Sequence, residues 1–95
     1  VPTPAAVFVF GQTGCPACAT YIPRFKRIAG PYRKRIQIGV YDLARDGRHA
    51  NEFASKLGIR ATPTTVVMNR RGSLHKHVGA LGDAQIVQLL DNAAG

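Results

Sequence analysis

The stretch GQTGCPACAT, residues 11–20, holds both cysteines of this 95-residue chain. Cys15 and Cys18 are separated by Pro16 and Ala17, and such a pair is a metal site, a structural staple or a reactive dithiol. What lies on either side narrows the choice. Upstream, Ala5–Phe10 (AAVFVF) is short, apolar and rich in β-branched and aromatic residues, which reads as a buried strand. The glycine-bearing stretch 11–14 ends it. Downstream, Pro16 suits the first position of a helix, where a missing N–H costs nothing. Cys18, Ile22, Phe25 and Ala29 then recur at helical spacing and mark one buried face. Pro23 lies inside that helix and should kink it, and Gly30-Pro31 stops it.

The rest of the chain continues the alternation. Ile36–Leu43 (IQIGVYDL) reads as a second buried strand, followed by a polar loop over Arg45–Arg48. Ala50, Phe53, Ala54 and Leu57 predict a second helix closed by Gly58. Thr64–Met68 is a third strand, Asn69–Ser73 a turn containing Gly72, and Leu74–Val78 a fourth strand with His75 and His77 on one face. Ile86, Leu89, Leu90 and Ala93 mark a last helix, with Asp83 as its expected N-cap. The order β-α-β-α-β-β-α predicts an α/β fold. A right-handed crossover makes the first two strands parallel, and the hairpin adds antiparallel strands. A four-stranded mixed sheet flanked by three helices is the simplest packing. The length predicts a single domain over residues 1–95.

In that frame Cys15 opens a helix, where unpaired N–H groups and the helix dipole favour negative charge. A thiol of ordinary pKa, about 8.5, is only a few per cent thiolate at neutral pH, and the thiolate is the nucleophile. Cys18, three residues on, faces Cys15 at roughly 5–6 Å between Cβ atoms. A small adjustment brings the sulfurs to bonding distance. Cys15 can then attack a substrate disulfide, and Cys18 can release the product by attacking Cys15. Cys15 should be the more exposed sulfur. A zinc site wants four ligands and there is no second CxxC. His49, His75 and His77 are candidates for completing one, and a soft-metal site of two thiolates stays open.

Composition adds a partner preference. Thirteen Lys and Arg against five Asp and Glu give a net charge of +8, which favours acidic partners. Arg24, Lys26, Arg27, Arg33, Lys34 and Arg35 form a dense basic cluster. It has no interleaved aromatics and no nucleic-acid motif, so a nucleic-acid partner is not expected. The longest apolar run falls far short of the ~20 residues of a membrane span. The expected compartment is the cytoplasm, or the periplasm or exterior had a leader been removed ahead of Val1.

CPAC after a buried strand, together with Thr62-Pro63-Thr64, resembles the thioredoxin family. Pro23 falls where thioredoxins carry a helix-kinking proline, and Tyr32 where many place a tyrosine. LGIRATPTTVVM (Leu57–Met68) is similar to the stretch around their cis-proline, and VGAL (Val78–Leu81) with the last helix is similar to their C-terminus. The resemblance covers roughly residues 5–95 and implies a thioredoxin-like fold and a monomeric protein-disulfide oxidoreductase. It implies that Pro63 is cis and stands opposite Cys15, making Cys15, Cys18 and Pro63 the catalytic set. Thr62 would offer its backbone to an extended substrate, and Gly79 would let that substrate approach. With Gly14 and Pro16 these form the expected substrate surface. No metal or cofactor is implied beyond the redox-active disulfide, with electrons from a thioredoxin-reductase-type donor or glutathione. The expected partners are disulfide-containing proteins, acidic ones among them.

Three departures from the family pattern bear on the chemistry. The chain resembles the minimal fold of glutaredoxins, with little ahead of the first strand. Gly14 stands where thioredoxins usually have Trp, predicting a flatter rim. Val9 and Val40 stand where they commonly bury an Asp and a Lys, so the usual proton acceptor for Cys18 is missing. Gly82-Asp83 faintly echoes a glutathione-binding pair, but the C-terminal half matches thioredoxin better, which favours protein disulfides as substrate.

Overall fold

The computed structural model describes residues 5–95. Strands β1 (Ala6–Gly11), β2 (Gln37–Asp42), β3 (Thr64–Met68) and β4 (Leu74–Val78) alternate with helices α1 (Pro16–Ala29), α2 (Gly47–Lys56) and α3 (Asp83–Ala94). A 3-10 turn over Gly30–Lys34 follows α1. The sheet order is β2-β1-β3-β4, with β1 and β2 parallel and the other neighbours antiparallel. This is the expected mixed sheet with three helices, a thioredoxin-like fold.

β1 is central, and all six of its residues are buried. Its alternating side chains feed two cores. Val7 and Val9 pack with Tyr21, Phe25 and Ala29 of α1 and with Ile86, Leu89 and Leu90 of α3. Ala6, Phe8 and Phe10 pack on the other face with Ala54 and Val66, and Phe53 of α2 sets its ring edge-on to both phenylalanines. Phe8 needs the space above Gly39, its register partner on β2: a Cβ there would come within 2.8 Å of the ring. β1 thus ends as a rigid rod whose last residue, Gly11, delivers the chain to the cysteine pair.

Three expectations change. β2 is half-buried rather than buried, because it lies at the sheet edge and its neighbours cover it from one side only. Tyr21 belongs to the buried face of α1 and is fully enclosed, while Ile22 is half-exposed. The phenol is tolerated there because its hydroxyl is paired with the Thr65 hydroxyl at 2.7 Å. Burial raises its pKa, partly offset by Thr65 and Arg24, so the neutral phenol is held in the fold. Asp83 is not the N-cap of α3. Gly82 takes that place, its N–H bonded to Gln85 Oε1 at 2.8 Å, while the Asp83 carboxylate turns across to Arg24 on α1 at 2.7 Å.

Candidate active site

Cys15 is the N-cap of α1, in extended conformation, with Pro16 following at the first helical position. Its Sγ accepts a hydrogen bond from the Cys18 backbone N–H at 3.2 Å. This is one of the N–H groups a helix start leaves without a carbonyl partner. The first turn carries no acidic residue, so nothing on the helix itself opposes a negative sulfur there. Cys15 and Cys18 are joined by a disulfide, with Cα atoms 5.2 Å apart. The sulfurs differ in access: Cys15 is half-exposed, whereas Cys18 is 2% exposed.

Cys18 is covered because it sits over Gly11. A Cβ at Gly11 would stand 3.5 Å from both Cβ and Sγ of Cys18 and would press into the Ile22 side chain. Glycine at the base of the strand-to-helix connection thus leaves the space that the end of the Ile22 side chain fills beside the second sulfur. Gly11 escaped the sequence reading, although a glycine ending an apolar run was a signal of close approach.

Two segments flank Cys15. One is the turn Thr62–Pro63, whose peptide bond is cis. The Thr62 carbonyl oxygen lies 3.8 Å from Cys15 Sγ. Pro63 is buried, and its own carbonyl accepts the Gly79 N–H at 2.8 Å. Gly79 has φ +96°, and a Cβ there would meet nothing, so it leaves backbone open beside the turn. Cys15, Thr62, Pro63 and Gly79, far apart in sequence, thus come together. Pro16 and Gly14 are exposed on the same rim, Gly14 with φ +91° and open space around it.

The other segment is the loop Gln12–Gly14, and it is held by a residue the sequence reading missed. The Asp42 carboxylate accepts from the Thr13 N–H at 3.1 Å, from the Thr13 hydroxyl and from the Ala44 N–H at 2.9 Å. Asp42 ends β2, parallel to β1, so the carboxyl ends of both strands open on one cleft of about 330 Å³. Cys15, Cys18 and Asp42 all line it. The Thr13 hydroxyl bond is the main reason the Asp42 carboxyl is held below its ordinary pKa; partial desolvation opposes it and backbone N–H bonds add to it. The parallel pairing, read together with an acid at the end of the second strand, was the signal available for Asp42.

Val9 and Val40 are register partners, Val9 fully buried and Val40 half-buried. Both belong to the core shared with α1 and α3. The histidines do not join the cysteines. His49 lies on α2, and His75 and His77 open on a separate cleft beside Leu89 and Asn92 of α3. Among the described residues no group of three or more His, Cys, Asp or Glu side chains is placed to hold a metal ion. No helix among them is long and apolar enough to cross a membrane. The basic cluster is partly occupied: Arg24 and Arg27 reach Asp83, and Arg35 stacks on Tyr32 at 5.0 Å.

A profile of the family described as "Thioredoxin-like domain" matches residues 3–94. Solved structures share the fold across most of the chain. Thioredoxin from Malassezia sympodialis is 26% identical, with 96% of this chain and 76% of that one covered and a TM-score of 0.72. Thioredoxin from Fasciola hepatica is 19% identical, covering 95% and 81%, with a TM-score of 0.76. Chloroplastic thioredoxin z is 21% identical, covering 97% and 80%, with a TM-score of 0.73. No curated protein sequence matches this one.

Proposed function

The chain belongs to the thioredoxin-like family, and on that premise we propose that it reduces disulfides in polypeptides through Cys15 and Cys18. Thiol–disulfide oxidoreduction is the chemistry of the family. The reading of this chain's residues rests on one observation above all: the half-exposed Cys15 Sγ accepts a helix-start N–H at 3.2 Å and lies 3.8 Å from an open backbone carbonyl. The N–H and the helix dipole favour the thiolate of reduced Cys15.

The steps balance as follows. The Cys15 thiolate attacks one sulfur of the substrate disulfide, and the other leaves as a thiolate that takes up a proton. Cys18 loses its proton and attacks Cys15 Sγ, which breaks the mixed disulfide and expels the second substrate thiolate. Two electrons pass from the dithiol to the substrate, and the Cys15–Cys18 disulfide is the product on this chain. A reductase of thioredoxin-reductase type or reduced glutathione restores the dithiol. No other group enters the chemistry. Thr62 offers its carbonyl to an extended substrate, and Gly79 and Gly14 keep side chains out of its way. With valine at 9 and 40, Cys18 gives its proton to water or to the departing substrate thiolate. A pH profile of alkylation in which both sulfurs ionise below neutrality would rule that out.

The test is reduction of insulin disulfides with thioredoxin reductase or reduced glutathione as the alternative electron source. The wild type should precipitate the insulin B chain with one of them. Cys15→Ser should abolish the activity, and Cys18→Ser should accumulate a mixed disulfide with the substrate. Undiminished activity in Cys15→Ser would overturn the proposal.

A further inference from the structure

Beside the Thr62–Pro63 turn lies a smaller cavity of about 210 Å³. Ala61 and Thr64, which bracket the turn, line it, as does Val78, the residue before Gly79. Its lining thus adjoins, residue by residue, the Thr62–Pro63 turn that stands beside Cys15. Its walls are of two kinds. Ile59 and Val78 are aliphatic, and Val78 is 70% exposed, an unusual position for a large apolar side chain. Arg60 and Lys76 are cations, and no acidic residue lines the cavity.

The Lys76 ammonium is seated there. Its Nζ donates to the Leu57 carbonyl at the end of α2 at 2.9 Å. A Cβ at Gly58 would stand 3.1 Å from Nζ, so this glycine leaves the room the ammonium occupies. One carbonyl uses only part of an ammonium's donor capacity. Four of the chain's five acidic residues are engaged elsewhere: Asp42 with Thr13, Asp46 with the Asp42 N–H, Asp83 with Arg24 and Asp91 with Tyr32. The fifth, Glu52, is exposed on α2 and does not line the cavity.

We propose that this cavity is a specificity subsite for an acidic side chain of the substrate polypeptide, carried close in sequence to the cysteine under attack. The inference rests on Cys15 being the attacking sulfur and adds to it which disulfides are preferred. A substrate segment lying extended along Thr62 sends alternate side chains to the same side. The proposal assigns the cavity to a residue about two positions from the target cysteine, on the side that faces Ala61 and Val78. An aspartate or glutamate there has Lys76 and Arg60 to pair with, while its methylene carbons lie against Ile59 and Val78.

The experiment follows single-turnover oxidation of the pre-reduced protein by three disulfide peptides. They are identical except for Glu, Gln or Lys two residues from the target cysteine. The expected order is Glu over Gln over Lys, with Glu ahead of Lys by about tenfold at low salt. The ratio should shrink as salt screens the cations, and fall toward unity in Lys76→Gln and in Arg60→Gln. Arg60→Gln removes an exposed side chain and leaves the Leu57–Lys76 contact in place. Equal rates for the three peptides would overturn the subsite while leaving the disulfide chemistry standing. Failure to oxidise with any peptide would overturn the chemistry itself. Oxidised glutathione serves as the remaining probe: if both variants slow it as much as the Glu peptide, the cations serve that small molecule's carboxylates, and the polypeptide subsite is rejected.

Discussion

The reactive sulfur stands between two segments that are held in opposite ways. The Thr62–Pro63 turn is fixed by burial and by backbone: Pro63 is enclosed, its carbonyl takes the Gly79 N–H, and β3 behind it is pinned by the Tyr21–Thr65 hydroxyl pair. The loop Gln12–Gly14 is exposed; the Gln12 carbonyl accepts the Cys15 N–H at 3.1 Å, and its side-chain anchor is one carboxylate, Asp42. The bonds on the first side are made by backbone and hydroxyl groups, and Pro63 and Thr65 are buried. The second side depends on a charge that water and protons can reach.

The sulfur itself is the largest lever. Replacing Cys15 by serine should lower insulin reduction by at least about a thousandfold, because an un-ionised hydroxyl is a poor nucleophile at neutral pH. Next comes the buried wall. Tyr21→Phe or Thr65→Val alone should each destabilise the fold by ~1–3 kcal/mol, since each leaves a buried hydroxyl unpaired. The double variant should cost less than the sum of the two, as read in a urea-denaturation cycle. Additive losses would mean that the two hydroxyls do not depend on each other.

Gly11→Ala should cost about 1 kcal/mol, because the added methyl displaces the end of the Ile22 side chain, which packs beside Cys18. The same variant should slow release of a trapped mixed disulfide, as followed by quenched-flow.

The smallest effect separates the two walls most cleanly. The Asp42 carboxyl is lowered by its bonds to Thr13, so its contribution is present above the ordinary aspartate pKa and is lost as pH falls through the folded-state value. In an NMR titration the Thr13 amide shift should move with a midpoint below an ordinary aspartate. The Gly79 amide should stay flat over the same range. In Asp42→Asn the Thr13 titration should vanish. A Gly79 amide that moves together with Thr13 would show that the two walls are coupled after all.

Much of this could be read along the chain because it depends on local pattern. The alternation of apolar runs with helical spacing placed the four strands and three α-helices, though not the 3-10 turn over Gly30–Lys34, and a proline behind Cys15 placed that sulfur at a helix start. The misreadings have one common cause. Whether Ile36–Leu43 is central or peripheral depends on sheet order, which period-two patterning does not carry. Tyr21 lies outside the face drawn through Cys18, Ile22, Phe25 and Ala29, and the hydroxyl that lets it be buried, Thr65, is 44 residues away. Asp83 had the composition of a cap, but Arg24 on another helix offered it a charge. The roles of Asp42 and Gly11 were hidden for the same reason, since each acts on a residue brought near only by the packing of β1 against its neighbours.

Residue order alone was enough to specify a dithiol at a helix start within a mixed four-stranded sheet, because spacing, helix-start chemistry and hydrophobic period act over a few residues. Folding in three dimensions decided which carbonyl stands beside Cys15, which carboxylate holds its loop and which cations line the neighbouring cavity. Those contacts join segments dozens of positions apart, and their geometry exists only once the sheet has set the distance between them.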